Sequence, residues 1–196
     1  MFASLIISAL AVAGVSQAAV ITERAIEARG CSPPNVDAAA IALIEKYEGW
    51  VDHAYLDPTG HWTIGYGHLC SRAECTDVPY PKPLSKANGE KLLQADLKIA
   101  EACVAEDISS KIHLNANQYG ALVSWAFNVG CGNVKTSTLI AELNKGDNPD
   151  AVAAAQLPRW DESDGEVLPG LKARRAAEVA LFKTATKTGA LPAKGC

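Results

Sequence analysis

Glu48, Asp57 and Thr63 fall within one stretch of the chain, 48–68, together with Gly49, Gly60, Gly65 and Gly67. Glu48 lies where a helical pattern stops, beside Tyr47 and Trp50, so its carboxyl is expected to sit partly desolvated, as a general acid requires. Asp57, nine residues on, stands in the turn sequence Tyr55-Leu56-Asp57-Pro58-Thr59-Gly60 and is expected to stay ionised. Two carboxylates in unlike environments are what glycosidic bond hydrolysis needs. One protonates the leaving oxygen and the other orients or activates a water.

The elements that must hold these groups are readable from periodicity and caps. Asn35 or Asp37 can cap a helix with Ala40, Ile41, Ile44 and Tyr47 on its buried face, ending near Gly49. Residues 61–68 alternate, which places Trp62, Ile64 and Tyr66 on one face of a small antiparallel sheet. A proline-bearing loop, 70–83, follows. Ser85 then caps a long helix to about 106, and further helices are predicted over 115–129, 137–145, 149–156 and 169–186. The fold class is α+β with helices dominant: one helix, a small sheet, a long connecting helix and a helical lobe. Lys172, Arg174 and Arg175 read as a solvated face of the last helix.

The 196 residues are 48% hydrophobic and 20% charged, a globular composition, with a net charge of -4. No basic run could track a phosphate backbone, so nucleic acid is excluded as a partner. Histidines 53, 61, 68 and 113 do not fall at metal-ligand spacing, and no phosphate or dinucleotide motif occurs, so neither metal nor cofactor is expected. Six cysteines, at 31, 70, 75, 103, 131 and 196, point to an oxidising compartment. The uncharged run 2–15 followed by Ser16-Gln17-Ala18-Ala19 reads as a secretory signal peptide over 1–18, with a possible pro-segment over 19–30 and one catalytic domain over 31–196. The chain is thus expected to be secreted, with no membrane contact after signal removal, and monomeric. Cys70 and Cys75 are close enough to close a small ring, and Cys103 and Cys131 end successive helices that could meet. That leaves Cys31 with Cys196, a pairing that closes the longest loop.

Glu48-Gly49, Tyr55, Asp57, Gly60 and Thr63-Ile64-Gly65-Tyr66-Gly67-His68-Leu69 resemble the active-site segment of the phage-type lysozymes, glycoside hydrolase family 24. The spacing from the glutamate to the aspartate and on to the threonine is that family's. Residues 90–96, 127–130, 137–139 and 168–178 resemble its later helices, so the similarity spans about 36–184. The cysteines and the apolar start are more like the secreted, especially fungal, members. A pI near 5.6 departs from the basic phage enzymes.

The resemblance implies a two-lobed lysozyme fold and cleavage between N-acetylmuramic acid and N-acetylglucosamine in bacterial peptidoglycan, with inversion. It implies Glu48 as general acid, Asp57 as the carboxylate that holds or activates water, and Thr63 as a second contact on that water. His68 and Asp96 correspond to a buried structural ion pair. Leu69, Phe127 and Thr138 match positions lining the sugar cleft, and Asn128 takes a polar neighbour's place there. A family asparagine falls on Ala154, so that contact is lost or taken by Gln156. The arginine that pairs with the acid is Arg174 or Arg175. A saccharide-binding wall module without turnover is the alternative, which retention of Glu48, Asp57 and Thr63 together argues against.

Overall fold

Asp37 starts the first helix, α1 (Ala38–Glu48), by accepting a 3.0 Å hydrogen bond from the Ala40 amide at Oδ1, and Gly49 ends it in a backbone conformation with φ of 76°. The computed structural model describes residues 32–163 and 165–193. The expected signal peptide (1–18) and pro-segment (19–30) therefore lie outside the described residues, as do Cys31 and Cys196.

After α1 the chain forms a three-stranded antiparallel sheet, β1 (Val51–Leu56), β2 (Trp62–Gly65) and β3 (His68–Leu69), in the order β1-β2-β3. Its inner face packs a small core of Ile64, Cys75, Val78, Leu84 and Leu92. Tyr66 departs from the expected shared face. β2 stops at Gly65, whose φ is 71°, and Tyr66 turns instead into the larger helical core, 4.8 Å from the Trp50 ring. A residue needing positive φ ends the strand, so alternation no longer decides which side its successor faces.

Helix α2 (Lys86–Asp107) joins the two cores. Leu92 packs under the sheet, while Leu93, Leu97 and Val104 belong to the helical core. At about 1.5 Å per residue its 22 residues span roughly 33 Å, long enough to reach through both lobes. Gly89 on this helix lets Trp50 lie against the backbone, since an added Cβ would come within 2.2 Å of the indole Cζ3.

The helical lobe follows as α3 (Ala116–Val129), α4 (Cys131–Thr136), α5 (Thr138–Lys145), α6 (Pro149–Gln156) and α7 (Pro169–Phe182). Asn115 and Gln118 form a reciprocal capping box at the start of α3, and Ser137 and Asn148 cap α5 and α6. Helix α7 ends at Phe182, earlier than the expected 186. Two small sheets are not legible in the sequence: β4 (Leu114–Asn115) pairs with β7 (Gly189–Leu191), and β5 (Glu162–Ser163) with β6 (Glu166–Val167). The architecture is α+β, mostly helical, with small antiparallel sheets, as the sequence predicts.

Candidate active site

Glu48 is the last residue of α1, where its side chain leaves the helix toward the β2–β3 turn and α7. Its Oε1 accepts a 2.7 Å hydrogen bond from Arg174 Nη1, and its Oε2 lies 3.8 Å from where a Cβ on Gly67 would stand. Gly67 has φ of 83°, so the turn both requires glycine and brings bare backbone against the acid. The side chain is 22% exposed. A second tie joins the same helices, because the Tyr47 hydroxyl donates to the Ala173 carbonyl at 2.9 Å.

Arg174 is itself clamped. Nε donates to Glu178 Oε1 at 3.2 Å and Nη2 to the Ser124 carbonyl on α3 at 3.1 Å, while Nη1 is the group on Glu48. Arg175 pairs with Glu178 instead, with its Nη2 2.8 Å from Oε1 and its Nε 2.8 Å from Oε2, and the Ser124 hydroxyl donates to Oε1 at 2.8 Å. These residues correct the reading of Arg174 and Arg175 as a solvated face: they are 3% and 1% exposed, and Glu178 is fully buried. Burial pushes the Glu178 carboxyl up, against the pull of Arg175 and Arg174, and burial lowers Arg175. Sequence reasoning misses Ser124 and Glu178 as site residues. The one signal it holds is Ser124, a lone hydroxyl in the otherwise apolar run 121–127.

Asp57 sits in the turn after β1 with Oδ1 accepting from the Thr59 amide (2.9 Å), the Thr59 hydroxyl (2.8 Å) and the His61 amide (2.8 Å). The His61 amide and the Thr59 hydroxyl, foremost among these, hold its carboxyl below the usual carboxylate range. All three bonds fall on Oδ1, which leaves Oδ2 as the oxygen that can take a proton from water. The Thr59 hydroxyl spends its proton on Asp57, so at the 2.8 Å contact with His61 Nδ1 the imidazole is the donor. Thr63 lies on β2, 2% exposed, and donates its hydroxyl to the His61 carbonyl at 3.1 Å, so toward a water it can act only as acceptor.

The model of the family described as phage lysozyme matches residues 45–178. The chain belongs to the phage lysozyme family. An endolysin of Bacillus phage PZA is 39% identical over 153 residues, covering 77% of this chain and 56% of that protein, so the chain spans little more than half its relative's length. Among solved structures, the muramidase domain of SpmX from Asticaccaulis excentricus is 32% identical with a TM-score of 0.65, covering 76% of this chain and 98% of that one. A lysozyme of phage P22 superimposes with a TM-score of 0.67 at 28% identity, covering 77% and 99%.

The remaining positions taken from the phage lysozyme resemblance distribute over both lobes. Leu69 stands on β3, 62% exposed and directly across from Thr63 in the register. Phe127 is half-buried against the helical core, and Asn128 is exposed near the end of α3. Thr138, the first residue of α5, lines an open depression of about 210 Å³ with Gln156, Arg159 and Trp160. Gln156 holds this wall together, since its Nε2 donates to Glu142 Oε2 at 2.9 Å and its Oε1 accepts from Arg159 Nη1 at 3.4 Å. Phe127 and Asn128 are not part of that lining among the described residues.

His68 Nδ1 approaches both oxygens of Asp96, at 2.9 and 3.0 Å, and ties β3 to α2. The hydrogen bond to Asp96, supported by its charge, raises the His68 pKa above the ordinary 6.5 against the opposing effect of burial. The raised value belongs to the folded state, so the pair's stabilisation is fully present below the unfolded value and disappears as pH rises through the folded one. The variant H68N is therefore expected to lower the melting temperature more at pH 5 than at pH 9. Equal losses at both would show that the pair does not depend on an imidazolium.

The cysteines divide. Cys70 and Cys75 form a disulfide with an S–S length of 2.06 Å, which shapes the loop after β3. Cys103 on α2 and Cys131 at the start of α4 do come together, but as two free thiols and not as the expected bridge. That contact pushes the Cys103 thiol up and the Cys131 thiol down. The two helix ends meet through packing of α4 against α2 and need no covalent bond to do so.

Proposed function

We propose that the chain is a lysozyme that hydrolyses the β-1,4 bond between N-acetylmuramic acid and N-acetylglucosamine in bacterial peptidoglycan, with inversion at the anomeric carbon. The observation that carries this reading is the unlike treatment of the two carboxylates. Glu48 is fixed through Oε1 by Arg174, which leaves Oε2 to carry a proton toward the leaving oxygen. Asp57 is kept ionised by donors on Oδ1 and offers Oδ2 to the attacking water. Thr63 accepts a second hydrogen from that water. The water's proton passes to Asp57 as its oxygen bonds to the anomeric carbon, while the proton of Glu48 leaves with the departing sugar. Solvent then restores both carboxyls. Leu69, Phe127, Asn128 and Thr138 would hold the saccharide around this centre, with neither metal nor cofactor taking part.

Digestion of purified peptidoglycan tests both halves of the proposal. New reducing ends should belong to N-acetylmuramic acid, and NMR of the first-formed product should show the α-anomer, since an inverting enzyme leaves room of about 6.5–9.5 Å between its carboxyls for the water. Reducing ends of N-acetylglucosamine, or a first product in the β configuration, would overturn it.

On the same reading the protein works outside the cell as a monomer, with residues 1–18 removed as a signal, 19–30 trimmed, and 31–196 forming the working domain, free of membrane and nucleic acid. Kinship with the secreted fungal members rests on the apolar start and the six cysteines. In an oxidising compartment the Cys103 and Cys131 thiols, already in contact, would join, and Cys31 would pair with Cys196. Non-reducing peptide mapping of the secreted protein should find these two links beside Cys70–Cys75; any other partner for Cys31 or Cys131 refutes the assignment.

A further inference from the structure

Hydrolysis by this route uses Glu48, Asp57 and Thr63, yet behind the acid lies a buried cluster of charge that it leaves unexplained. Arg174, Arg175 and Glu178 are together almost wholly withdrawn from water. Burying charges costs free energy, and apolar residues of similar volume often replace such clusters without loss. Glu178 Oε1 accepts from Ser124 Oγ, Arg174 Nε and Arg175 Nη2, and its Oε2 stands 2.8 Å from Arg175 Nε as an ion pair. The two guanidinium charges beside this single carboxyl favour its ionised form against the effect of burial.

Two consequences reach Glu48. The first is geometric. A guanidinium is a rigid planar fork, and with Nε on Glu178 and Nη2 on the Ser124 carbonyl, Nη1 has one direction left, toward Glu48 Oε1. The second is electrostatic. Two guanidinium charges and one carboxylate charge leave a single net positive charge behind the acid. We propose that Glu178 is a positioning residue for the proton donor, aiming Arg174 at Glu48 and cancelling the charge of Arg175 behind it. The inference rests on the reading of Glu48 as general acid.

The other groups around the acid do not supply this control. On α1 itself, the Glu45 carboxylate adds to burial in raising the pKa of the Tyr66 hydroxyl, Lys46 lies over the Tyr47 ring, and Tyr47 bonds to Ala173. From the β2–β3 turn Gly67 brings uncharged backbone against the acid, and the neighbouring His68 is paired with Asp96. From α3 it is Ser124, which is neutral, and from α7 only Arg174, Arg175 and Glu178 carry charge into the cluster.

The pH dependence of wall lysis tests the proposal through signs. In E178Q two uncompensated positive charges face Glu48, and the alkaline limb of the profile should move down by about one pH unit. In R175M the charge behind the acid falls to zero, and the limb should move up by about as much. In the double variant R175M/E178Q the net charge returns to one, and the limb should return to the wild-type position. Thermal unfolding followed by circular dichroism establishes which variants are folded. Should E178Q fail to fold, R175M against the double variant carries the same comparison with both charges neutralised together. Limbs that coincide in every folded variant, whatever the change in rate, would overturn the role of Glu178 and leave it structural. Lysis that survives in E48Q would instead overturn the proton-donor assignment, so the two failures are distinct.

Discussion

Lysis of a bacterial wall suspension by E48Q is expected to fall by a factor of about 10²–10⁴ or more, with the melting temperature close to that of the wild type. General acid catalysis by a positioned side chain contributes on that order, and glutamine cannot supply the proton. The fold should survive because the amide oxygen can still accept the hydrogen bond that Arg174 Nη1 makes to Glu48 Oε1. Binding should survive for the same reason, since nothing that shapes the site is removed. Turbidity clearing measured beside a thermal melt and a saccharide-binding titration separates the cases. A variant with near-normal clearing would remove Glu48 from the chemistry. One that is inactive and also unfolded would show that the Arg174 contact needs a charged partner.

The largest loss of stability is expected at Trp125. It is fully buried on α3 and meets Trp160 edge-on with ring centroids 5.3 Å apart. Truncation to alanine opens a cavity in the helical core and should cost about 3–5 kcal/mol. Trp125→Phe should cost markedly less, for two reasons. A ring remains against Trp160, and the indole Nε1 that is lost has no hydrogen-bond partner among the described residues. Urea denaturation of the two variants checks this, and equal losses would show that the indole as a whole, not its ring packing, is what the core requires. The effect bears on function, because the residue before Trp125 supplies the carbonyl and hydroxyl that hold Arg174 and Glu178. The alanine variant should lose lysis at temperatures where the wild type remains active.

The features that the amino-acid sequence determines by itself are local or have a repeating spacing. Ser85, Asn115 and Ser137 announce helix starts because a short side chain satisfies an amide only three residues away, while the first start is open between Asn35 and Asp37 until the fold chooses Asp37. Gly49 and Gly146 announce ends because only glycine takes their backbone angles readily. The spacing of Glu48, Asp57 and Thr63 on a helix end, a turn and a strand is likewise set by residues close along the chain. The folded protein agrees with the α+β class and with the order of elements.

Contacts between distant segments are decided only by the tertiary structure. Leu114 and Leu191 pair across a strand too short to show alternation. Tyr66 leaves the sheet face for the helical core once Gly65 ends the strand. Whether Arg174 or Arg175 meets the acid is undecidable from a run of charges, which reads as surface by composition. The two side chains leave α7 about 100° apart, so one faces Glu48 on α1 and the other does not, and which one depends on how α7 packs against α1 and α3. A buried charge is tolerable only where its partners already wait, and those partners, Glu48, Ser124 and Glu178, come from three helices that only the folded chain brings together.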